Sequence, residues 1–429
     1  MPIQLARLAP AAALGVAFLL AAGCGGNSMT TASSTGSGSG SPSGTGGGSG
    51  GTGSGGTGSG GSGSGSGGSG SGSSTPANAA YVYVSTPSIA GGPGNFITAY
   101  TAASDGTLTK VSGSPFTTTA QVAEIASAGN YLYANMLANG TASITSYSIG
   151  STGALTQAVT VTPPASTTPT TGGSWVTTAF FDTTGQSFYD SGRAFAVNSN
   201  GSLSSLGLIS HGDTVVDALS FTPSDAFAYG GDCAGGTPNF YGFTRASSGA
   251  LTWFNTNANL PAPPTGNTEG TSYCPDGAAV AGNNTVVIAL QLGTSANSYQ
   301  GTNQLAVYSI AANGTLSTTN TAATMPSLSV AGYAEDYAFD PTDTWLAVGG
   351  SGGIQIFKLT NGVLTQTGSL ALSGGVSQLA WDKSGHLYTY GQDSGDLSVI
   401  SVANGVPTQA SGSPYTLPIS SYLAVEPAS

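Results

Sequence analysis

The sequence predicts an all-β protein that folds as a seven-bladed β-propeller. A Gly-x-Leu motif recurs seven times between residues 106 and 407, at spacings of 43 to 65 residues. Each copy lies between two short apolar segments, and a strand–turn–strand pattern precedes it by about 25 residues. Each repeat therefore holds four strands, a to d, in about 50 residues, which is the size of a propeller blade.

The Gly-x-Leu motif predicts the turn between strands c and d. Its seven copies begin at Gly106, Gly153, Gly201, Gly249, Gly314, Gly362 and Gly405. The last copy has Pro407 in place of leucine. Glycine supplies the positive φ that a tight hairpin turn requires, and leucine begins the outer strand.

A second pattern predicts the turn between strands a and b. It is most complete from Phe339 to Val348, where an apolar strand, a polar turn that starts at Asp340 and a second apolar strand follow one another. Equivalent segments begin at Phe181, Phe221 and Trp381. A β-hairpin with a polar turn accounts for this pattern.

The ends of the repeat region predict how the ring closes. The region begins at 81–84 with a segment typical of strand b, whereas 419–425 resembles a strand a that lacks its strand b. Pairing these two strands would complete the first blade and remove two exposed sheet edges. We therefore expect the propeller to cover residues 78–429, with the C-terminal strand closing the first blade.

The N-terminal segment predicts export. Residues 1–23 contain one basic residue, Arg7, and an apolar segment that ends in Leu-Ala-Ala-Gly before Cys24. This resembles a bacterial lipoprotein signal peptide; an ordinary secretory signal with an incidental cysteine is the alternative. Acylated Cys24 would attach the chain to a membrane. Residues 24–77 are Gly/Ser-rich and uncharged, which predicts a disordered tether. The expected location is the cell envelope, lipid-anchored and facing the periplasm or the surface.

The composition excludes several functions. Only 6% of the residues are charged, with 6 Lys/Arg against 18 Asp/Glu, whereas an ordinary domain has about 25%. So few positive charges exclude a nucleic-acid partner, because binding depends on neutralising phosphates. No Gly-x-Ser-x-Gly, Walker, His-Glu-x-x-His or Cys-x-x-Cys motif is present.

One position in strand a predicts a polar mouth. When the a strands are aligned without gaps on the a–b turn, this position holds Gln121, Thr177, Asp217, Asp276, Glu335, Ser377 and Ser421. The carboxylates Asp217, Asp276 and Glu335 belong to the fourth to sixth repeats, and Asp336 and Gln378 follow one residue later in their own strands. The position lies near the start of strand a, and so near one end of the central channel.

Two interpretations of this mouth stay open. It is either a solvated rim or a site for a ligand or cation, because crowded carboxylates repel one another unless a cation or a proton intervenes. For the metal site we consider Asp217, Asp276 and Glu335, whose oxygen ligands would favour Ca²⁺. No other cofactor is expected.

The long connections are expected on the same side of the ring as the mouth, which is typical of a binding face. Trp175, Tyr273 and Tyr333 are expected near it. Cys233 falls in a b–c connection of the fourth repeat, and Cys274 in the d–a connection that enters the fifth. An oxidising compartment would allow these two cysteines to form a disulfide; two free thiols are the alternative.

Catalytic candidates are few. The chain has two histidines. His386 follows an a–b turn, on the side opposite the mouth, whereas His211 lies on the mouth side and is the one candidate general base. Arg193 is the one basic residue of the predicted mature chain that is expected toward the mouth.

Several segments resemble a known family. Residues 95–100, Asp105-Gly106-Thr107-Leu108, the Gly-Ser-Pro-Phe sequence at 113–116 and residues 131–135 are similar to the lactonase-family seven-bladed propellers, which include 6-phosphogluconolactonase and YVTN-type repeat proteins. The resemblance covers nearly all of 78–429 and implies the fold. Its motifs are structural, so it implies chemistry only weakly.

Two functions therefore remain. The first is an exported, lipid-anchored binding or interaction module for a small molecule, glycan or protein. The second, implied by the resemblance, is a lactonase-like hydrolase. Its substrate would be a neutral lactone or sugar, because an anionic phosphosugar would need basic residues beside the acidic mouth. Convergence of His211 and Arg193 with the mouth would favour the enzyme.

Overall fold

The computed structural model describes residues 80–86, 95–138, 141–162, 179–190, 192–209, 219–232, 238–266, 271–293, 299–391, 393–419 and 421–426. The predicted signal peptide, Cys24 and the predicted tether lie outside these ranges, so they stay predictions. Within the described ranges, no helix is long and apolar enough to cross a membrane.

The described residues form thirty strands in seven antiparallel sheets, which are the seven blades. Blade 1 contains β1 (Ala80–Thr86), β2 (Phe96–Ala102), β3 (Leu108–Lys110), β4 (Phe116–Thr117) and the C-terminal β30 (Leu423–Glu426). Blade 2 contains β5 (Gln121–Ala128), β6 (Tyr131–Ala138), β7 (Thr141–Ile149) and β8 (Leu155–Val161). Blade 3 contains β9 (Phe180–Phe181), β10 (Ser187–Asp190), β11 (Arg193–Val197) and β12 (Leu203–Leu208).

The remaining blades repeat this order. Blade 4 contains β13 (Ser220–Phe221), β14 (Phe227–Asp232), β15 (Asn239–Arg245) and β16 (Leu251–Phe254). Blade 5 contains β17 (Ser272–Ala281), β18 (Thr285–Gly293), β19 (Tyr299–Ile310) and β20 (Leu316–Ser317). Blade 6 contains β21 (Asp336–Phe339), β22 (Trp345–Gly350), β23 (Gly353–Thr360) and β24 (Val363–Ala371). Blade 7 contains β25 (Gln378–Trp381), β26 (His386–Gly391), β27 (Asp396–Ala403), β28 (Val406–Gln409) and β29 (Tyr415–Thr416).

The position of each strand in its blade follows from its apolar pattern. Strands b and c carry continuous apolar runs and are buried on both faces, as β18 and β26 show. Strand d alternates and is mostly exposed, as in β8. The a strands lie innermost, where those of neighbouring blades contact one another, for example β17 with β21 and β25 with β30.

The ring closes as the sequence predicts. The C-terminal strand β30 pairs antiparallel with β1, and Val82 lies opposite Val425. The hydroxyl group of Ser127 in blade 2 donates a hydrogen bond to the carbonyl of Val425 at 3.0 Å. The closing strand therefore belongs to blade 1 and also contacts blade 2.

The core lies between blades. Tyr83 of blade 1 packs in one cluster with Leu132 and Ala134 of blade 2. Val287 of blade 5 packs in another with Leu346 of blade 6. Each blade is therefore stabilised by burial against its neighbours, as expected for repeats that cannot bury both faces alone.

The Gly-x-Leu glycine fits against a side chain of the preceding blade. A Cβ atom added at Gly153 would lie 2.5 Å from the ring of Tyr81, and one at Gly405 would lie 2.5 Å from the ring of Trp345. The hydroxyl of Tyr83 also donates to the carbonyl of Gly153 at 3.0 Å. The glycine therefore recurs both for its positive φ and for close packing between blades.

Replacing Gly153 by alanine should destabilise the propeller more than the same change at Gly362. Both residues have positive φ, +80° and +76°, but nothing lies within 4 Å of a Cβ at Gly362. The cost of a positive φ for alanine is thus the same in both variants. The overlap with Tyr81 lowers the free energy of unfolding of Gly153→Ala by about 2 kcal/mol more. Urea unfolding of both variants measures the difference; equal losses would show that packing against Tyr81 does not explain the repeat.

The a–b turns are held by buried aspartates. One carboxylate oxygen of Asp340 accepts hydrogen bonds from the backbone N–H groups of Thr344 and Trp345, at 2.8 and 2.7 Å. Asp382 does the same for Ser384 and His386, at 2.8 and 2.9 Å. The recurring aspartate therefore satisfies turn donors that have no strand partner.

Candidate functional site

The candidate site is the end of the channel where the a strands begin. We number the residue pairs of each a–b hairpin from the pair that closes its turn. In blades 1, 2, 5, 6 and 7, the fifth pair contains, respectively, Tyr422, Glu124, Asp276, Asp336 and Gln378. We call these five residues the mouth level. Glu335 precedes Asp336 and donates its N–H to the carbonyl of Gly349 at 2.9 Å. The described parts of the d–a connections that enter blades 5 and 6, at 255–266 and 318–335, are on the same side.

The gapless alignment of the a strands is wrong in blades 2 and 5, for different reasons. In β17 a bulge between Asp276 and Ala279 lies between the turn and Asp276, so it moves Asp276 to the level of Asp336. In β5 the bulge between Val122 and Glu124 lies beyond Glu124; here the a–b turn follows Ala128, which places Glu124 at the mouth level and Gln121 farther out. Gly277, inside β17 with a φ of +60°, is a sequence signal for one bulge. β5 contains no glycine, so nothing in its sequence indicates the other.

Asp336 and Gln378 link neighbouring a strands. Asp336 accepts a hydrogen bond from the N–H of Leu379 at 2.8 Å. Gln378 accepts one from the N–H of Leu423 at 2.7 Å and donates one to the carbonyl of Ser421 at 3.2 Å. The a strands of different blades share no backbone ladder, so these side chains satisfy backbone groups that would otherwise lack partners. Both residues thus have a structural role at the mouth.

Asp276 is held by two tyrosines of blade 6. The hydroxyl of Tyr333 donates a hydrogen bond to the Asp276 carboxylate. The hydroxyl of Tyr337 donates to the Asp276 carbonyl at 2.5 Å and accepts from the N–H of Ala289 at 3.3 Å. Asp276 and Tyr333 are both half-buried. They place a carboxylate and a phenol side by side where a ligand could reach them.

A second polar group lies between blades 2 and 3. Glu124 and Asp190 are buried, with 6% and 4% of their surface exposed. Asn135, the cross-strand partner of Glu124, donates from Nδ2 to Asp190 at 2.5 Å, and its buried Oδ1 accepts no hydrogen bond. Arg193 is the cross-strand partner of Asp190, so both side chains leave the same face of blade 3. Burial, and then the charge of Glu124, raise the pKa of Tyr422.

The structure tests some of the remaining predicted residues. Tyr273 lies at the mouth end of β17, opposite Leu292, but it is fully buried, and its hydroxyl donates to Gln304 at 2.7 Å. Cys274 lies within β17 instead of the preceding connection, where it is buried and engaged in a disulfide. Its predicted partner, Cys233, is outside the described residues, so the pairing stays a prediction.

Three more predicted residues, Trp175, His211 and Asp217, also lie outside the described residues. In the part of the chain that the structure describes, no three His, Cys, Asp or Glu side chains are placed to hold a metal ion. A calcium site that combines Asp217 with Asp276 and Glu335 therefore stays a prediction. So does the convergence of His211 and Arg193 with the mouth.

Two basic or titratable side chains have structural partners away from the mouth. Arg245, at the c–d turn of blade 4, forms a buried ion pair with Asp182 of blade 3. His386 is buried, and its Nδ1 lies 3.1 Å from the Asp382 carboxylate. Both lie on the side of the a–b and c–d turns, as predicted for His386.

An open cavity of about 380 Å³ lies on the mouth side of blade 5. Its lining includes Pro264, Leu292 and Gln304. The Gln304 amide already accepts from Tyr273 and donates to the carbonyls of Ala322 and Met325, at 2.9 Å each. Both amide hydrogens of Gln304 are therefore already used by the fold.

The comparisons with known proteins show the fold. No protein-family model and no curated protein matches the chain. The structure of a periplasmic gluconolactonase from Pseudomonas aeruginosa is similar, with a TM-score of 0.56, 15% identity, and coverage of 80% of this chain and 99% of that one. A protein from Lactobacillus plantarum has a TM-score of 0.58, 15% identity and coverage of 81% and 99%. The seven-bladed propeller fold of the resemblance is thus confirmed.

Proposed function

We propose that the protein is an exported binding module that takes a small polar ligand or a glycan at the mouth of its channel. The observation that carries this proposal is the half-buried Asp276 carboxylate, positioned by Tyr333 on the side of the long connections. A fixed acceptor beside an aromatic ring suits a ligand that presents hydroxyl or cationic groups. The lipoprotein-like signal and Cys24 support export and membrane attachment.

The position of His386 argues against this histidine as a general base at the mouth. The Asp382–His386 pair is buried on the side away from the mouth and has structural partners. A general base must reach the proton that it removes. His386 lies at the opposite end of the channel from the mouth, so it cannot reach a ligand there.

A lactonase-like hydrolase is the second candidate. Two buried carboxylates, Glu124 and Asp190, favour it, because a carboxylate can act as the general base for attack by water on a neutral lactone, and Arg193 leaves the same face of blade 3 as Asp190. The similarity in fold to a gluconolactonase adds weak support, since one fold serves many activities.

Thermal unfolding of the full-length protein tests the proposal. Neutral sugars, aldonolactones and CaCl₂ are each titrated. A ligand that binds only the folded state raises the melting temperature, because at ten times its Kd it increases the free energy of unfolding by about 1.4 kcal/mol. Asp276→Asn should remove the rise, whereas Asp393→Asn, at an exposed carboxylate, should keep it.

The outcomes separate the candidates. No rise with any ligand at millimolar concentration would overturn binding at the mouth. Lactone hydrolysis above the buffer rate that is lost in Glu124→Gln would replace the binding module by a hydrolase. A rise with CaCl₂ that is lost in Asp276→Asn would support the calcium site.

A further inference from the structure

The place where the ring closes has two buried titratable groups. His386 begins β26 of blade 7, and Glu426 ends the closing strand β30 of blade 1. They are 7% and 9% exposed. Both lie on the side of the a–b turns: His386 is between blade 7 and blade 1, and Glu426 is at the inner edge of blade 1, beside blade 2. We call the contacts of blade 1 with these two neighbours the closing seam.

His386 connects blades 7 and 1. On the blade 7 side, Nδ1 lies 3.1 Å from the carboxylate of Asp382, which also accepts a hydrogen bond from Tyr388 at 2.9 Å. On the blade 1 side, the imidazole lies beside Gly106 of the c–d turn, where the backbone of Ser104 and the carboxylate of Asp105 raise its pKa. An imidazolium has two N–H donors and can satisfy both blades at once, whereas a neutral ring has one.

Glu426 is favoured in its neutral form, whereas His386 is favoured in its charged form. Glu426 lies opposite Tyr81 in the β1–β30 ladder, and it is packed beside Ser127 of blade 2 and Tyr83 of blade 1. Lys383, in the a–b turn of blade 7, is the cation that faces it. Burial favours the neutral carboxylic acid at this position.

We propose that the closing seam is a pH-sensitive latch, tight when Glu426 and His386 are protonated and looser when both have lost their protons. Glu426 then becomes a buried anion that Lys383, the backbone of Gly129 and the hydroxyl of Ser127 compensate only in part, and His386 loses one of its two donors. Both changes weaken the contacts that attach blade 1 to its neighbours. The latch would make closure of this exported protein depend on the pH outside the cell.

The direction of the pKa shifts supports the proposal. Burial raises the pKa of Glu426 from 4.5 to about 7, and the charge of Lys383, the backbone of Gly129 and the hydroxyl of Ser127 offset only part of this rise. The hydrogen bond with Asp382 raises the pKa of His386 above 6.5. Because both folded-state values are raised, the stabilisation is complete below the unfolded values and is lost as the pH rises. For Glu426 alone, the folding equilibrium constant falls by about two to three powers of ten between pH 4.5 and 7.

Hydrogen exchange of the full-length protein tests the latch. Protection of the amides in β1 and β30 is measured at pH 5.5 and 8.5 and corrected for the intrinsic effect of pH on exchange. We expect protection in these strands to fall at least tenfold, with a smaller change in β18 and β19 of blade 5. Glu426→Gln should keep protection high at pH 8.5, because the amide stays neutral at the same size. His386→Gln should reduce the pH dependence of protection in β1 and β30 that remains above pH 6.5.

The control variant is Asp393→Asn, at an exposed carboxylate of blade 7, which should behave as the wild type does. If Glu426→Gln does not fold, Lys383→Met tests the same site, since removing the facing cation should enlarge the loss at pH 8.5. An equal fall in blades 1 and 5, or a fall unchanged in Glu426→Gln and Lys383→Met, would overturn the latch.

Discussion

Removal of residues 421–429 is expected to abolish cooperative unfolding of the propeller, or to lower its free energy of unfolding by more than about 5 kcal/mol. Val425 buries an apolar side chain worth about 2 kcal/mol, Leu423 is half-buried, and the deletion also exposes the edge of β1. It further removes the partners of Ser85, whose hydroxyl accepts from the N–H of Tyr422 at 3.0 Å, and of Gln378. Urea unfolding followed by circular dichroism measures the effect.

A point substitution gives the same test without shortening the chain. Val425→Asp places a charge on the closing strand, where Val425 is 3% exposed, whereas Val363→Asp alters a strand residue that is 58% exposed. The first variant should lose several kcal/mol and the second less than about 0.5 kcal/mol. A deletion variant as stable as the wild type would mean that β30 is not needed to close the ring.

The fold could be predicted from sequence because its markers have fixed physical causes. Gly153 and Gly405 recur where positive φ coincides with close packing against an aromatic ring of the preceding blade. Asp340 and Asp382 recur where a turn needs an acceptor. Such requirements are local and identical in each blade, so they leave a period that can be counted. The closing strand could also be predicted, since an unpaired strand a at one end matched an unpaired strand b at the other.

The mouth could be predicted only in part. Asp336 and Gln378 line the mouth as expected, but the bulge in β17 brings Asp276 level with them instead of with Glu335, and Glu124, not Gln121, belongs to the mouth level of blade 2. The a–b turn of blade 2, at Gly129 and Asn130, lacks the aspartate found in the turns at Asp340 and Asp382, so the sequence does not mark its position. Asn135 was not predicted because its role comes from contact with another blade.

Sequence also could not separate structural polar groups from groups that bind ligands. The side chains of Asp336 and Gln378 bond to the backbone of the next a strand, and such a partner is far away in sequence. Tyr273 illustrates the same limit, since a tyrosine beside a predicted loop turned out to be buried against Gln304. Only the spatial neighbours decide which polar residues stay available.

Breaking the ion pair between blades 3 and 4 should have the second large effect. Asp182 is fully buried and the Arg245 side chain is 10% exposed. Arg245 also donates to the hydroxyl of Ser187 at 3.0 Å, while its Nε has no acceptor. Arg245→Met would leave the Asp182 carboxylate buried without its cation, which costs about 3–5 kcal/mol.

A double-mutant cycle measures how much of this loss belongs to the pair. Asp182 also accepts from the N–H of Gln186 at 2.9 Å, so Asp182→Asn weakens a turn as well as the ion pair. If the pair dominates, Arg245→Met combined with Asp182→Asn should be more stable than the sum of the single losses predicts, because the buried charge has been removed. Lys358→Met, at an exposed residue of the c–d region of blade 6, is the matched control and should change stability by less than about 1 kcal/mol. Additive losses in the cycle would show that Arg245 stabilises the blades by packing and not by its charge.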